Sequence, residues 1–130
     1  MAAESLAAPA GHGGAWVNGP DWVEEFPASI TVCDARGIIL GMNRRALEAY
    51  RDQGGPALIG TNLLDCHPEP SRTQVAAMLR TGLRNVYTIE KAGVRKLIEQ
   101  SPWYRDGQFA GFVEIVLELP ATLPHFFRPS

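Results

Sequence analysis

Apolar or β-branched residues alternate with smaller polar ones from Ser29 to Asp34, the signature of a half-buried strand. A second apolar run, 38–43, follows directly, and the tight Asp34–Gly37 turn between the two makes them a hairpin. The period then changes. Asn43 stands as a helix N-cap, and Ala46, Leu47 and Tyr50 recur on one side of a helix reaching Arg51, before Gly54, Gly55 and Pro56 break it. Residues 57–65 are apolar but short and punctuated, which predicts irregular structure with a helical turn. Pro68 and Pro70 lead into a second helix over 71–81, with Ser71 and Gln74 as a capping box, Val75, Met78 and Leu79 as its apolar stripe, and Gly82 as its stop. The last third is strand-like: Asn85 to Lys91, Val94 to Tyr104 and Gln108 to Leu119, turned at Ala92-Gly93 and Asp106-Gly107 into a three-stranded meander.

The first two strands need partners, and the natural closure is one five-stranded antiparallel sheet with short helices covering one face. That is an α+β domain with a single core, and the space between sheet and helices is where a cavity forms. Residues 1–19 are Ala-, Gly- and Pro-rich without periodicity and read as a flexible N-terminal tail. Residues 20–27 read as a short helix, capped by Asp21, with Glu24 at its third position and Pro27 at its end. Its apolar residues Trp22, Val23 and Phe26 must dock on the domain itself or on a second copy. The domain proper spans 28–120, and 121–130 is a C-terminal tail.

Composition sets further limits. A chain of 130 residues, 45% hydrophobic and 20% charged, has the makeup of one small globular domain and not of a disordered segment. A net charge of −2 speaks against a nucleic-acid partner. No apolar run is long enough for a transmembrane helix, so no membrane partner is expected. The N-terminus lacks a secretory pattern, and two cysteines, Cys33 and Cys66, are too few for a disulfide scaffold; a reducing, cytoplasmic location follows as the expectation.

Three stretches in this order resemble the PAS family over about 28–120. The first is the hairpin from Ile30 through Asp34 and Gly37 to Asn43. The second runs from Leu58, Ile59 and Gly60 to His67, Pro68 and Glu69, with Pro70 where many members carry aspartate. The third is the closing hairpin, Trp103, Asp106, Gly107 and Gly111. The resemblance implies a PAS-like fold and a sensory or regulatory module in signal transduction, without catalysis of its own. It implies a small, mostly apolar ligand in the core, a homodimer formed through the helix before the first strand, and a histidine kinase or other output partner. If the family layout holds, Met42, Tyr50, Leu64, Met78, Tyr87, Ile98 and Gln100 line the cavity. Tyr50, Tyr87 and Gln100 are the informative ones, because a buried hydroxyl or amide needs a partner and a ligand can be that partner. The alternative is a ligand-free PAS module that works by dimerisation alone.

The candidate chemistry is thin. Cys66 and His67 invite a zinc site, but zinc needs three or four ligands, and His12 and His125 lie near the two ends of the chain; the expectation is no metal, with His67 shaping the loop. Haem-binding members take their axial histidine from the helix that here is 71–81, which has none. Leu63 stands where flavin-binding members carry the reactive cysteine. Met42 and Ala46 stand where photoactive yellow protein pairs its chromophore. No particular cofactor is therefore assigned. Cys66 as a redox thiol depends on exposure and a lowered pKa. Trp103 and Tyr104 read as a packed hairpin pair. Lys91, Arg95 and Lys96 form at most a small positive patch among otherwise dispersed bases. An enzyme is disfavoured: His67, Asp65 and Glu69 sit within five residues of one another, with no distant nucleophile or oxyanion donor.

Overall fold

The computed structural model describes residues 20–130, so the expected N-terminal tail, 1–19, lies outside the described residues. The elements, in chain order, are α1 (Asp21–Glu24), β1 (Ser29–Asp34), β2 (Ile39–Met42), α2 (Arg44–Ala49), α3 (Ser71–Thr81), β3 (Asn85–Lys91), β4 (Val94–Arg105) and β5 (Gln108–Glu118). Three single 3-10 turns, Arg51–Gln53, Gly55–Leu58 and Leu63–Cys66, fill the stretch between α2 and α3. The sheet is five-stranded and antiparallel, in the order β2-β1-β5-β4-β3. The expected α+β architecture, five antiparallel strands with short helices, is what the chain adopts.

Local chemistry explains the elements. Asp34 Oδ1 accepts from the amides of Arg36 (2.9 Å) and Ile38 (3.0 Å), and Gly37, at φ 91°, completes the β1–β2 turn. Ala92-Gly93 and Asp106-Gly107 both have positive φ at each residue, the mirror-image turns whose twist matches a two-residue hairpin. The α3 helix ends on Gly82 in the left-handed region, whose amide donates to Met78 O at 2.8 Å.

Three details depart from the sequence reading. The first is at α1, where Pro20 and not Asp21 is the N-cap, leaving Asp21 as the first helical residue. Next, α2 closes at Ala49 and the chain tightens into a 3-10 turn, because Tyr50 is held by its side chain and Gly54 at φ 128° leaves helical geometry. Finally, the Ser71–Gln74 capping box does not form. Pro70 occupies the N-cap, and the first turn is tied by Glu69 Oε1, which accepts from the Thr73 amide (3.2 Å) and hydroxyl (2.6 Å).

The register sorts the sheet into two faces. Thr31 pairs with Glu114 and Met42, Cys33 with Phe112 and Ile39, Gln100 with Glu114 and Asn85, and Ile98 with Val116 and Tyr87. These residues share one face, and the core cluster of Ile39, Met42 and Ala46, with Leu47, Tyr50, Leu58, Ile59 and Leu63 packed against it, lies on that side. The 58–66 stretch is lashed to the first hairpin: Ile39 N donates to Thr61 O (2.9 Å), Gly60 N to Ile39 O (2.8 Å) and Leu63 N to Gly37 O (2.8 Å).

Two joints hold the assembly together. Asn43 is fully buried, with 0% of its surface exposed. Its Oδ1 accepts from Ala46 N (3.1 Å), capping α2, and from Ile30 N (2.9 Å) in β1. Its Nδ2 donates to Val23 O (3.0 Å) and Ala28 O (2.8 Å), so one amide joins α1, β1 and α2. The second joint is Trp103 on β4, whose indole N–H donates to Cys33 O on β1 at 2.9 Å, reaching across β5 where Gly111 has no side chain in the way. Glu99, on the opposite face from Gln100, pairs bidentately with Arg84 and accepts from Ser101. The guanidinium and the hydroxyl together hold its carboxyl well below the usual range, at about 2.

Candidate functional site

A cavity of about 220 Å³ lies between the inner sheet face and the helices. The sheet contributes Thr31 and Cys33 from β1, Ile39 and Met42 from β2, Phe112 and Glu114 from β5, and Gln100 from β4. The cover comes from Tyr50 and Leu58 below α2, from Leu63, Cys66 and His67 in the loop, and from Val75, Met78 and Leu79 on α3. The apolar stripe read from the sequence of α3 is thus the wall it turns to the cavity. The stripe is only half-buried, so α3 rests over a space and not on a packed layer.

One polar pole interrupts the apolar lining. Glu114 projects from the middle of β5, and Tyr50 OH donates to its Oε1 at 3.1 Å while Gln100 Nε2 donates to its Oε2 at 2.8 Å. Gln100 Oε1 in turn accepts from Asn85 Nδ2 at 3.0 Å, so Asn85, Gln100 and Tyr50 all orient toward one carboxylate. Burial and the neighbouring carboxylate push the Tyr50 hydroxyl far above the ordinary tyrosine range, so it stays a donor. The same two causes raise Tyr87. Burial raises the Cys33 thiol, which keeps it protonated and unreactive. Thr31 Oγ1, on the strand position paired with Glu114, is buried without a hydrogen-bond partner among the described residues. His67 Nδ1 lies 2.7 Å from Leu63 O. A carbonyl only accepts, so Nδ1 carries a proton, and in the neutral ring Nε2 is an acceptor.

Of the seven cavity residues expected from the sequence, Met42, Tyr50, Met78 and Gln100 line this space. Leu64, Tyr87 and Ile98 do not. On the loop, the inward side chain is Leu63, one residue earlier than expected, because the 3-10 turn at Leu63–Cys66 sets the phase. Tyr87 is 42% exposed, since no residue of β3 is covered. Ile98 is buried, but one pair further along β4, beside Val116. Tyr50 and Gln100 are not waiting for a ligand to satisfy them; Glu114 already does so. Glu114 itself is the polar cavity residue that sequence reasoning missed. The signal was an acid in the middle of an apolar run, two residues from Phe112 and from Val116, hence on the core face. At α1, Val23 is buried at 7% exposure on its own domain, whereas Trp22 (62%) and Phe26 face solvent with rings edge to face, 5.7 Å apart. Cys66 is exposed at the cavity rim, with its thiol 3.8 Å from Asn62 O.

The described residues hold no cluster of three or more side chains suited to a metal ion, and no described helix is long and apolar enough to cross a membrane. No family model and no curated protein matches the chain. Solved structures do match. The PAS domain of BvgS from Bordetella pertussis aligns at TM-score 0.58 and 15% identity, over 75% of this chain and 81% of that one. The PAS domain of an HTR-like protein from Haloarcula marismortui aligns at TM-score 0.53 and 18% identity, over 75% and 86%. The Aer2 receptor from Vibrio cholerae, described as a dual PAS-heme oxygen sensor, aligns at TM-score 0.50 and 16% identity, over 72% and 95%. The fold is PAS-like. The helix α3, which walls the cavity, carries no histidine, and the one histidine of the cavity lining is His67 in the preceding loop.

Proposed function

We propose that this protein is a sensory PAS domain that takes a small, mostly apolar molecule between sheet and helices and signals by the change in packing that follows. The observation that carries the reading is the cavity itself: about 220 Å³, partly open to solvent, with mostly apolar walls and one convergent polar pole. An apolar cavity of roughly 150 Å³ admits a benzene ring, so this one accommodates a ring with a substituent. A ligand shifts the signalling state only if it binds one arrangement of α3 and the sheet better than another, and the half-buried α3 is the element free to differ. Resemblance in fold to sensor proteins supports this reading over catalysis.

The test is to fill the cavity. Val75→Phe puts a ring into the space from α3. Small aromatic compounds such as indole or benzyl alcohol are expected to raise the melting temperature of the wild type and to leave the folded variant unmoved. Equal shifts in both, or none in the wild type, would overturn the reading.

A second reading, dimerisation through 20–27, is favoured by one observation: Trp22 on α1 and Phe26 just beyond it form an exposed aromatic pair, while Val23 between them is anchored. Sedimentation equilibrium is expected to give a dimer for the wild type and a monomer for Trp22→Asp. A monomeric wild type removes this reading.

A further inference from the structure

We propose that the cavity selects a small organic cation, a primary or secondary ammonium or a protonated amidine carried on an apolar ring-sized body; this rests on the ligand-site reading above. At the polar pole the Tyr50 hydroxyl and one N–H of Gln100 both go to Glu114, and Asn85 holds the Gln100 amide in that orientation. Acceptor capacity is left over beside the one charged side chain of the cavity lining, Glu114. A carboxylate has about four lone-pair positions, of which two are used here. Thr31 Oγ1, at the paired position on β1, is buried without a partner, and the Nε2 of a neutral His67 ring accepts.

The charge count points the same way. Among the described residues no lysine or arginine lines the cavity, so nothing of the protein's own neutralises Glu114 there. A half-buried carboxylate held by neutral donors gains from a cation that replaces the water it lost, and an N–H on a cation makes the stronger, charge-assisted bond. A ligand carboxylate or phosphate meets the opposite, the like charge of Glu114 with no lysine or arginine beside it. Met42, Leu63, Val75 and Met78 then face the body of the ligand.

The experiment uses three probes of one shape and different charge: benzylamine, benzyl alcohol and benzoate, titrated calorimetrically into the whole chain at physiological salt, where general attraction to a surface of net charge −2 is screened. Benzylamine is expected to bind at least tenfold more tightly than benzyl alcohol, with no binding of benzoate. Glu114→Gln is expected to weaken benzylamine at least tenfold and leave benzyl alcohol within twofold. Glu118→Gln, an exposed acid on the same strand, is expected to change neither. Equal affinity for amine and alcohol, or benzylamine binding unchanged in Glu114→Gln, overturns the selection for a cation and leaves the cavity standing. Failure of all three probes to bind overturns the ligand site and this inference with it. If Glu114→Gln does not fold, the three probes on the wild type decide alone.

Discussion

Replacing Asn43 with alanine is expected to cost the fold about 3–4 kcal/mol, measured as a shift in urea midpoint at unchanged slope. Losing the cap on α2 accounts for about 0.5–2 kcal/mol of that. The rest comes from three groups stranded in the interior: the Ile30 amide and the carbonyls of Val23 and Ala28, each of which loses its Asn43 bond. A buried polar group left without a partner costs about 1–3 kcal/mol, and partial relaxation of α1 brings the sum below simple addition. Aspartate separates the two halves of the joint. Asn43→Asp keeps both acceptor bonds but loses both donors and sets a buried negative charge against two carbonyls, so at neutral pH it is expected to be at least as damaging as alanine. Because α1 hangs on this residue, Trp22 fluorescence is expected to change before global unfolding in either variant. A loss under 1 kcal/mol for Asn43→Ala would show that the joint does not carry α1.

Gly111→Ala is expected to be worse, either preventing folding or lowering the melting temperature by well over ten degrees. A Cβ built on Gly111 lies 1.9 Å from Cys33 O and 2.8 Å from the Cα and carbonyl carbon of Asp34, all backbone atoms of β1. No rotamer relieves that contact. The residue also sits at φ 148°, where an L side chain is strained whatever the space. The variant must therefore pull β1 from β5, the pairing that joins the two hairpins into one sheet. It must also break the Trp103 indole bond to Cys33 O, so the downfield indole N–H resonance of Trp103 gives a local reading. An alanine variant that melts within three degrees of the wild type, with that resonance unmoved, would contradict this account.

The fold was legible because its punctuation is local. Asp34 and Gly37, Gly82, Ala92-Gly93 and Asp106-Gly107 each dictate a turn or stop by their own backbone chemistry, and alternation between them marks the strands. The strand order could not be read the same way: β1 lies between β2 and β5 because of contacts across some eighty residues of sequence, which no local signal carries. The cavity was partly legible. Met42, Met78, Tyr50 and Gln100 followed from the family layout. Leu64 was one residue out of phase because a 3-10 turn has a different period from the helix assumed there, and Tyr87 fell outside because exposure depends on how far the cover reaches. Glu114 was overlooked because an acid among apolar residues reads as an outward position until the register shows which face it occupies. Helix caps failed where proline intervened: Pro20 and Pro70 took the positions that Asp21 and Ser71 suit by side chain.

The Trp103 strut gives the sheet unequal compliance. At the end beside the β4–β5 turn, three strands are clamped together by an indole that spans β5 and is bonded to the backbone of β1. At the other edge, β3 is held by its ladder to β4 alone, every residue of it exposed, and its side-chain bond from Asn85 leads through Gln100 to Glu114. The least constrained part of the sheet is therefore β3, the strand farthest in the sheet from the first hairpin, and it is tied by side chains to the cavity carboxylate.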